Sequence, residues 1–246
     1  MVTRFELDAW TPSVGLIVKP DEDLSLYATY LEGLEEGGTA PASSANANEV
    51  LPPAVSKQYE GGIKGEVLNA LVFQLAAFEV TRPSAFTDPA DNRFKLAGRA
   101  RYRGIEGSVT GEITPRLSVY ASGQYLDAEI TEAVSPLLEG RRPVNTPEWT
   151  ASLFAEYRPE AIPGFAFGGG AFHVGERPVN NFNQAFANGF TTYSLSARYD
   201  LDAVAEGFSV QLNADNLTNK SYYSAADNPI GVGLPRQIKL TARLGL

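Results

Sequence analysis

Apolar and polar residues alternate along this chain in short runs set apart by turn-forming residues. Near the end, Phe208, Val210, Leu212 and Ala214 fall on one face, with Ser209, Gln211, Asn213 and Asp215 on the other. Further on, Ile238, Leu240, Ala242, Leu244 and Leu246 oppose Lys239, Thr241 and Arg243. A side-chain period of two marks an extended strand with one apolar and one polar face. The same period places Val14, Leu16 and Val18 together, then Leu24, Leu26, Ala28 and Tyr30, then Tyr59, Gly61 and Ile63 against Glu60 and Lys64. It returns at Tyr193, Leu195, Ala197 and Tyr199, opposed by Ser194, Ser196 and Arg198.

About eleven strands are predicted on this basis. They lie over 10–19, 24–31, 57–65, 71–80, 103–113, 117–130, 149–157, 165–175 and 192–199, followed by the closing pair. The intervening segments 20–23, 67–69, 114–116 and 159–164 are short turns, whereas 32–56, 83–92, 131–145 and 176–189 read as loops. The connections therefore alternate short and long, and the closing pair is joined by a long Asn-, Ser-, Gly- and Pro-rich loop. Outer-membrane barrels sort their connections this way, with tight periplasmic turns and long extracellular loops. A soluble ligand-binding β-sandwich shares the alternating strands and is the competing architecture, but has no reason to sort its loops by length.

Composition narrows the function. The chain has 246 residues and no cysteine, which excludes a disulfide framework, a thiolate metal site and a cysteine nucleophile. A net charge of −9 argues against nucleic acid as a partner. The longest apolar run, 70–80, is broken by Gln74 and Glu79 and is too short for a transmembrane helix. Barrel strands need only ~9–11 residues, so the membrane stays open. The opening Met-Val-Thr-Arg-Phe-Glu-Leu-Asp has no apolar signal-peptide core, and for an outer-membrane protein the expectation is that the N-terminal part is missing.

No catalytic constellation is present, and the expectation is a non-enzyme without cofactor or metal. His173 is the only histidine, beside Phe172 near a strand end, and reads as a structural or interfacial residue. The sequons at Asn216 and Asn219 read as features of a turn-rich loop. Glu60, Lys64, Glu106, Glu156, Arg198, Lys239 and Arg243 are placed on the wall of the lumen. Tyr30, Trp149, Tyr157 and Tyr199 lie near strand ends, where an aromatic girdle meets the membrane interface.

The run Asn216-Leu-Thr-Asn-Lys-Ser-Tyr-Tyr223, then Gly233-Leu-Pro-Arg236 before an alternating strand, resembles the C-terminal signature of TonB-dependent outer-membrane receptors, most closely the ferric-siderophore receptors. Trp10-Thr-Pro-Ser-Val-Gly15, Leu24-Ser-Leu-Tyr-Ala-Thr-Tyr30, Leu51-Pro-Pro53, Lys57-Gln-Tyr-Glu-Gly-Gly-Ile-Lys-Gly65, Arg103-Gly-Ile-Glu106 and Asn145-Thr-Pro147 resemble the same pattern in the same order. The resemblance implies an all-β chain, an antiparallel up-and-down meander forming the C-terminal half of a 22-stranded transmembrane barrel. Residues 1–246 then match only that half. The signal sequence, the TonB-contacting box, the plug and the first half of the barrel are expected to be absent, as in a truncated or split product. Contact with the TonB complex would run only through that absent plug. The chain also ends in Leu246 where the family usually ends in an aromatic residue. The implied function is uptake of a ferric siderophore across the bacterial outer membrane, with lipid as the other partner and this segment alone not competent for transport. A passive pore or a structural barrel segment is the alternative. For ligand contact, Arg141 and Arg142 would attract an anionic chelate, and Phe182, Phe186, Tyr222 and Tyr223 would stack on it.

Overall fold

The computed structural model describes residues 10–68, 70–226 and 230–245. The expectations at Met1, Asn69 and Leu246 lie outside the described residues. The strands are β1 (Ser13–Asp21), β2 (Leu24–Glu35), β3 (Ala54–Val67), β4 (Leu71–Asp88), β5 (Arg93–Thr114), β6 (Leu117–Glu132), β7 (Trp149–Tyr157) and β8 (Phe165–Val174). Two two-residue strands follow, β9 (Arg177–Pro178) and β10 (Phe186–Ala187), and then β11 (Phe190–Asp200) and β12 (Ser209–Asp215). The chain closes with β13 (Tyr223–Ala225), β14 (Gly231–Val232) and β15 (Gln237–Arg243). Eleven of these form one sheet in the order β1-β2-β3-β4-β5-β6-β7-β8-β11-β12-β15, every neighbour antiparallel. The four smallest make two separate ladders inside loops. This is an eleven-stranded meander in a single layer, not a sandwich.

Register sorts the side chains. One pairing line runs from Val18 through Leu26, Ile63, Leu75, Gly107, Gly123 and Ala151 to His173 and Thr191. It starts beside the 22–23 turn and climbs to the opposite end of β8, the stagger that tilted barrel strands require. Its members share one face, which is the apolar one. The other face carries Glu60, Lys64, Glu106, Glu156, Arg198, Lys239 and Arg243 by alternation, as expected for the lumen.

Aromatic rings bound the apolar face at both ends. Tyr30 and Tyr59 meet across β2 and β3 with centroids 4.9 Å apart, and Tyr125 and Trp149 across β6 and β7 at 4.7 Å. At the other end Tyr157 packs edge-on against Phe167 at 5.7 Å, and Phe165 lies 6.4 Å from Tyr199. On β7 the outward residues between Trp149 and Tyr157 are Ala151, Leu153 and Ala155. Eight residues at ~3.4 Å each, tilted ~40°, span roughly 20 Å along the normal, close to the ~25 Å apolar band of outer-membrane barrels. Past the outer rings the same face turns charged, with Arg103 and Asp127 paired at 3.2 Å and Lys57 and Glu32 at 3.4 Å. His173 stands at this rim, its Nδ1 2.9 Å from Thr191 Oγ1.

The connections sort by end. Segments 22–23, 68–70, 115–116, 158–164 and 201–208 join strands at one end, and 36–53, 89–92, 133–148, 175–189 and 216–236 at the other. One expectation is corrected. The segment 83–92 is not a loop: β4 continues to Asp88 and β5 begins at Arg93, so the two strands rise as a tall hairpin with its turn at 89–92. Pro83 misled the sequence reading because it lacks the N–H that a ladder uses. Here the loss is harmless. The carbonyl of Leu75 approaches Gly62 of β3, so Pro83, an even number of residues on, directs its backbone the same way. The β3–β4 ladder has already ended at the Lys57–Thr81 pair.

Opposite labelling at the two ends checks this topology. Cysteine at exposed Ser43, beside buried Ser44, is expected to react with an impermeant maleimide on intact cells, and cysteine at Glu22 only after lysis. The reverse pattern would invert the barrel.

Candidate ligand-facing site and its loops

The long-loop end is shaped by asparagines. Asn145, Asn183, Asn216 and Asn219 adopt φ of 59°, 56°, 48° and 51°, a left-handed conformation that asparagine tolerates better than most residues. Asn216 is buried and closes the 216–236 loop: its Nδ2 donates to the carbonyls of Lys220 and Leu234 at 2.9 and 3.0 Å, and its Oδ1 accepts the Lys220 amide at 2.8 Å. Asn219 Oδ1 accepts the Arg236 amide at 2.9 Å. Both sequon asparagines are thus spent on the turn. Asn46 likewise docks the 36–53 loop onto the tall hairpin through both polar groups of Phe94, at 2.8 and 2.9 Å. Lower on that hairpin, the Arg82 Nε donates to Glu35 at 2.9 Å, and this guanidinium holds the Glu35 carboxyl below its ordinary value.

Beneath the 216–236 loop the inner wall is concave. A cleft of about 470 Å³ lies between Tyr120, Phe154 and Phe172 on the wall and Tyr222, Leu234 and Pro235 above, with Asp215 as the carboxylate at its edge. An adjoining cleft of about 350 Å³ is polar, lined by Gln74, Glu106, Ser108, Ser122, Gln124 and Thr150 among others. Aromatic faces, hydroxyls and carboxamides on a concave wall suit reversible capture of a bulky solute. No group of three or more potential metal ligands occurs among the described residues.

The six candidate residues all stand at this end, in different states. Arg142 is largely enclosed: its Nη2 donates to the Glu148 carboxylate, its Nη1 to the Glu176 carbonyl at 3.4 Å, and it covers the Phe186 ring at 5.8 Å. Asn183 clasps its backbone from both sides, at 2.8 and 2.9 Å. Arg142 and Phe186 are thus brought together, with the charge already neutralised. Arg141 is exposed and has no ion pair among the described residues. Phe182 is exposed in the 175–189 loop. Tyr222 stacks on Phe190 with centroids 4.1 Å apart, whereas Tyr223 is half exposed in the β13–β14 ladder.

Sequence reasoning missed Arg177, Phe190 and the wall aromatics Tyr120, Phe154 and Phe172. Arg177 stands immediately before Pro178, a position that favours extended backbone, and that was the one local signal for β9. Tyr120, Phe154 and Phe172 fall on the polar face by alternation, so they were legible as large rings on the wrong side for lipid.

Comparison with known proteins decides what this wall belongs to. Residues 2–217 match the family model of the TonB dependent receptor-like β-barrel. The chain belongs to that family. Among curated relatives it is 31% identical over 242 residues to the ferrichrome receptor FcuA of Yersinia enterocolitica, covering 95% of this chain and 32% of that one. It is 29% identical over 245 residues to the metal-pseudopaline receptor CntO of Pseudomonas aeruginosa, covering 96% and 33%. The crystal structure of BauA, the ferric preacinetobactin receptor of Acinetobacter baumannii, superposes with a TM-score of 0.80 at 32% identity, over 94% of this chain and 36% of that one. This TonB-dependent receptor barrel therefore spans about a third of the length of the curated relatives it matches. Members of the family are outer-membrane transporters and not enzymes, and the apolar band between two aromatic girdles fits such a barrel.

Proposed function

We propose that residues 1–246 form the C-terminal barrel portion of an outer-membrane receptor that captures a ferric siderophore and imports it with TonB-supplied energy. The observation that carries this reading is the pairing of a girdled apolar exterior with a concave, aromatic inner wall roofed by tied loops. The names of the relatives support ferric chelates as the ligand class. Tyr222 and Tyr223 with Phe182 and Phe186 supply aromatic surface for it, and Arg141 supplies an open guanidinium, while Arg142 buttresses Phe186. TonB contact falls to a plug outside this chain, and lipid covers the apolar band.

Closure of the barrel falls to further strands. Among the described residues β1 and β15 are the two edges of the sheet, and neither pairs with the other. Each backbone group left unsatisfied in hydrocarbon costs on the order of several kcal/mol. The test is uptake of labelled ferric chelates by an iron-starved strain lacking its own receptors. The full-length receptor is expected to restore uptake, and Tyr222→Ala to weaken binding about tenfold, as loss of a packed aromatic contact does. Energy-dependent uptake by the 246-residue chain alone would overturn the closure argument.

A further inference from the structure

Arg177 is a buried charge that the receptor reading leaves unused. It is 4% exposed, and no carboxylate pairs with it among the described residues. Burial pushes its guanidinium below the ordinary value. Its donors go instead to main chain and amide. Nη1 donates to the Ser224 carbonyl at 2.8 Å and to Asn145 Oδ1 at 3.3 Å, and Nη2 donates to the Tyr223 carbonyl. Its central carbon lies 5.6 Å from the centre of the Phe190 ring, and its Nε finds no acceptor among the described residues.

Asn145 completes the junction. Its Oδ1 also accepts the Ala226 amide at 2.9 Å, and its backbone N–H donates to the Pro178 carbonyl at 2.9 Å. One guanidinium and one carboxamide thus join the loops 133–148, 175–189 and 216–236. These loops carry all six candidate ligand residues, and Phe190 beneath Arg177 is the ring on which Tyr222 stacks.

We propose that Arg177 is a positioning residue for ligand recognition: with Asn145 it locks the three loops into one unit and so fixes where Tyr222 and Tyr223 stand. A buried cation that spends its donors on carbonyls holds backbone in place, and removing it leaves those carbonyls unpaired. Loops ordered in advance spare the ligand the entropic cost of ordering them. The locking rests on geometry alone, and its effect on affinity rests on the receptor reading above.

The test uses the full-length receptor, in which this cysteine-free segment permits spin labels at Asn188→Cys and Val232→Cys. Arg177→Gln is expected to broaden the distance distribution between the labels. It should also shift or broaden the fluorine resonance of Tyr222 in protein made with 3-fluorotyrosine. Affinity for ferrichrome, the first probe, should fall about tenfold or more, ~1.4 kcal/mol per tenfold. Arg177→Lys should restore part of each effect, because an ammonium still reaches one carbonyl. Asn145→Gly, which keeps the positive φ and removes the shared acceptor, should reproduce the broadening if Arg177→Gln fails to assemble. Arg99→Gln, which breaks an exposed pair with Glu132 at the same end, should change nothing. Unchanged distances and an unchanged Tyr222 resonance in both Arg177→Gln and Asn145→Gly would overturn the proposal. Broadened distances with unaltered affinity would overturn the positioning role. A wild type that keeps the lock yet binds neither ferrichrome nor ferrioxamine B would count against the ligand reading and not against the lock.

Discussion

Arginine at Leu240 is expected to destabilise the assembled barrel by ~2–4 kcal/mol, whereas arginine at the next residue, Thr241, should be nearly neutral. Leu240 is the central residue of β15 and pairs with Leu212 on the face that carries the apolar band. Thr241 pairs with Gln211 on the lumen face. A guanidinium that replaces Leu240 leaves water for hydrocarbon, and one that replaces Thr241 does not. The measurement is a denaturant folding titration of the full-length receptor in lipid vesicles. Equal costs at the two positions would reject the register, and with it every assignment of outward and inward residues.

Valine at Gly170 is expected to cost ~1–3 kcal/mol, through overpacking on the inner wall. The ring of Phe154 lies across the glycines of β8. A Cβ at Gly170 would stand 3.0 Å from that ring and 2.8 Å from the Leu153 carbonyl, and one at Gly168 would stand 2.8 Å from the ring. Glycine is there because a large ring needs a flat floor. Phe154→Ala in the Gly170→Val background should recover part of the loss, since the Leu153 carbonyl and Ser194 Oγ at 3.2 Å also stand in the way. Strict additivity of the two changes would show that the ring is not responsible.

Faces and strands were legible in the sequence because alternation is local. Residues that oppose each other across β12 and β15 carry their period within seven residues each. Turn chemistry was equally local at Asn216, whose amide closes a ring only four residues long. The tall hairpin was not legible: Pro83 and the Ser, Thr and Asp around it favour turns, and only the early end of the β3 ladder makes room for a proline in a strand. The site was half legible. Tyr222 and Phe186 announced themselves as aromatics in loops, but the state of each charge depended on distant chain. Arg177 reaches Ser224 across 47 residues, and Asn145 reaches Ala226 across 81. No window of sequence holds both partners. Arg142 shows the same limit on a smaller scale, since Glu148 neutralises it from the far side of a turn.

Pro83 has one further consequence. Beyond the Thr81 rung β4 has no ladder partner on its β3 side among the described residues, and an unpaired strand side is the kind of surface onto which a stray extended segment can zip itself. A pyrrolidine ring just beyond the last β3 rung, at Thr81, removes the first donor an intruder would need and puts a bulky methylene in its path. The hairpin can therefore stand tall without becoming sticky. The residue that hid this strand from the sequence reading is the one that withholds a donor on its unpaired side.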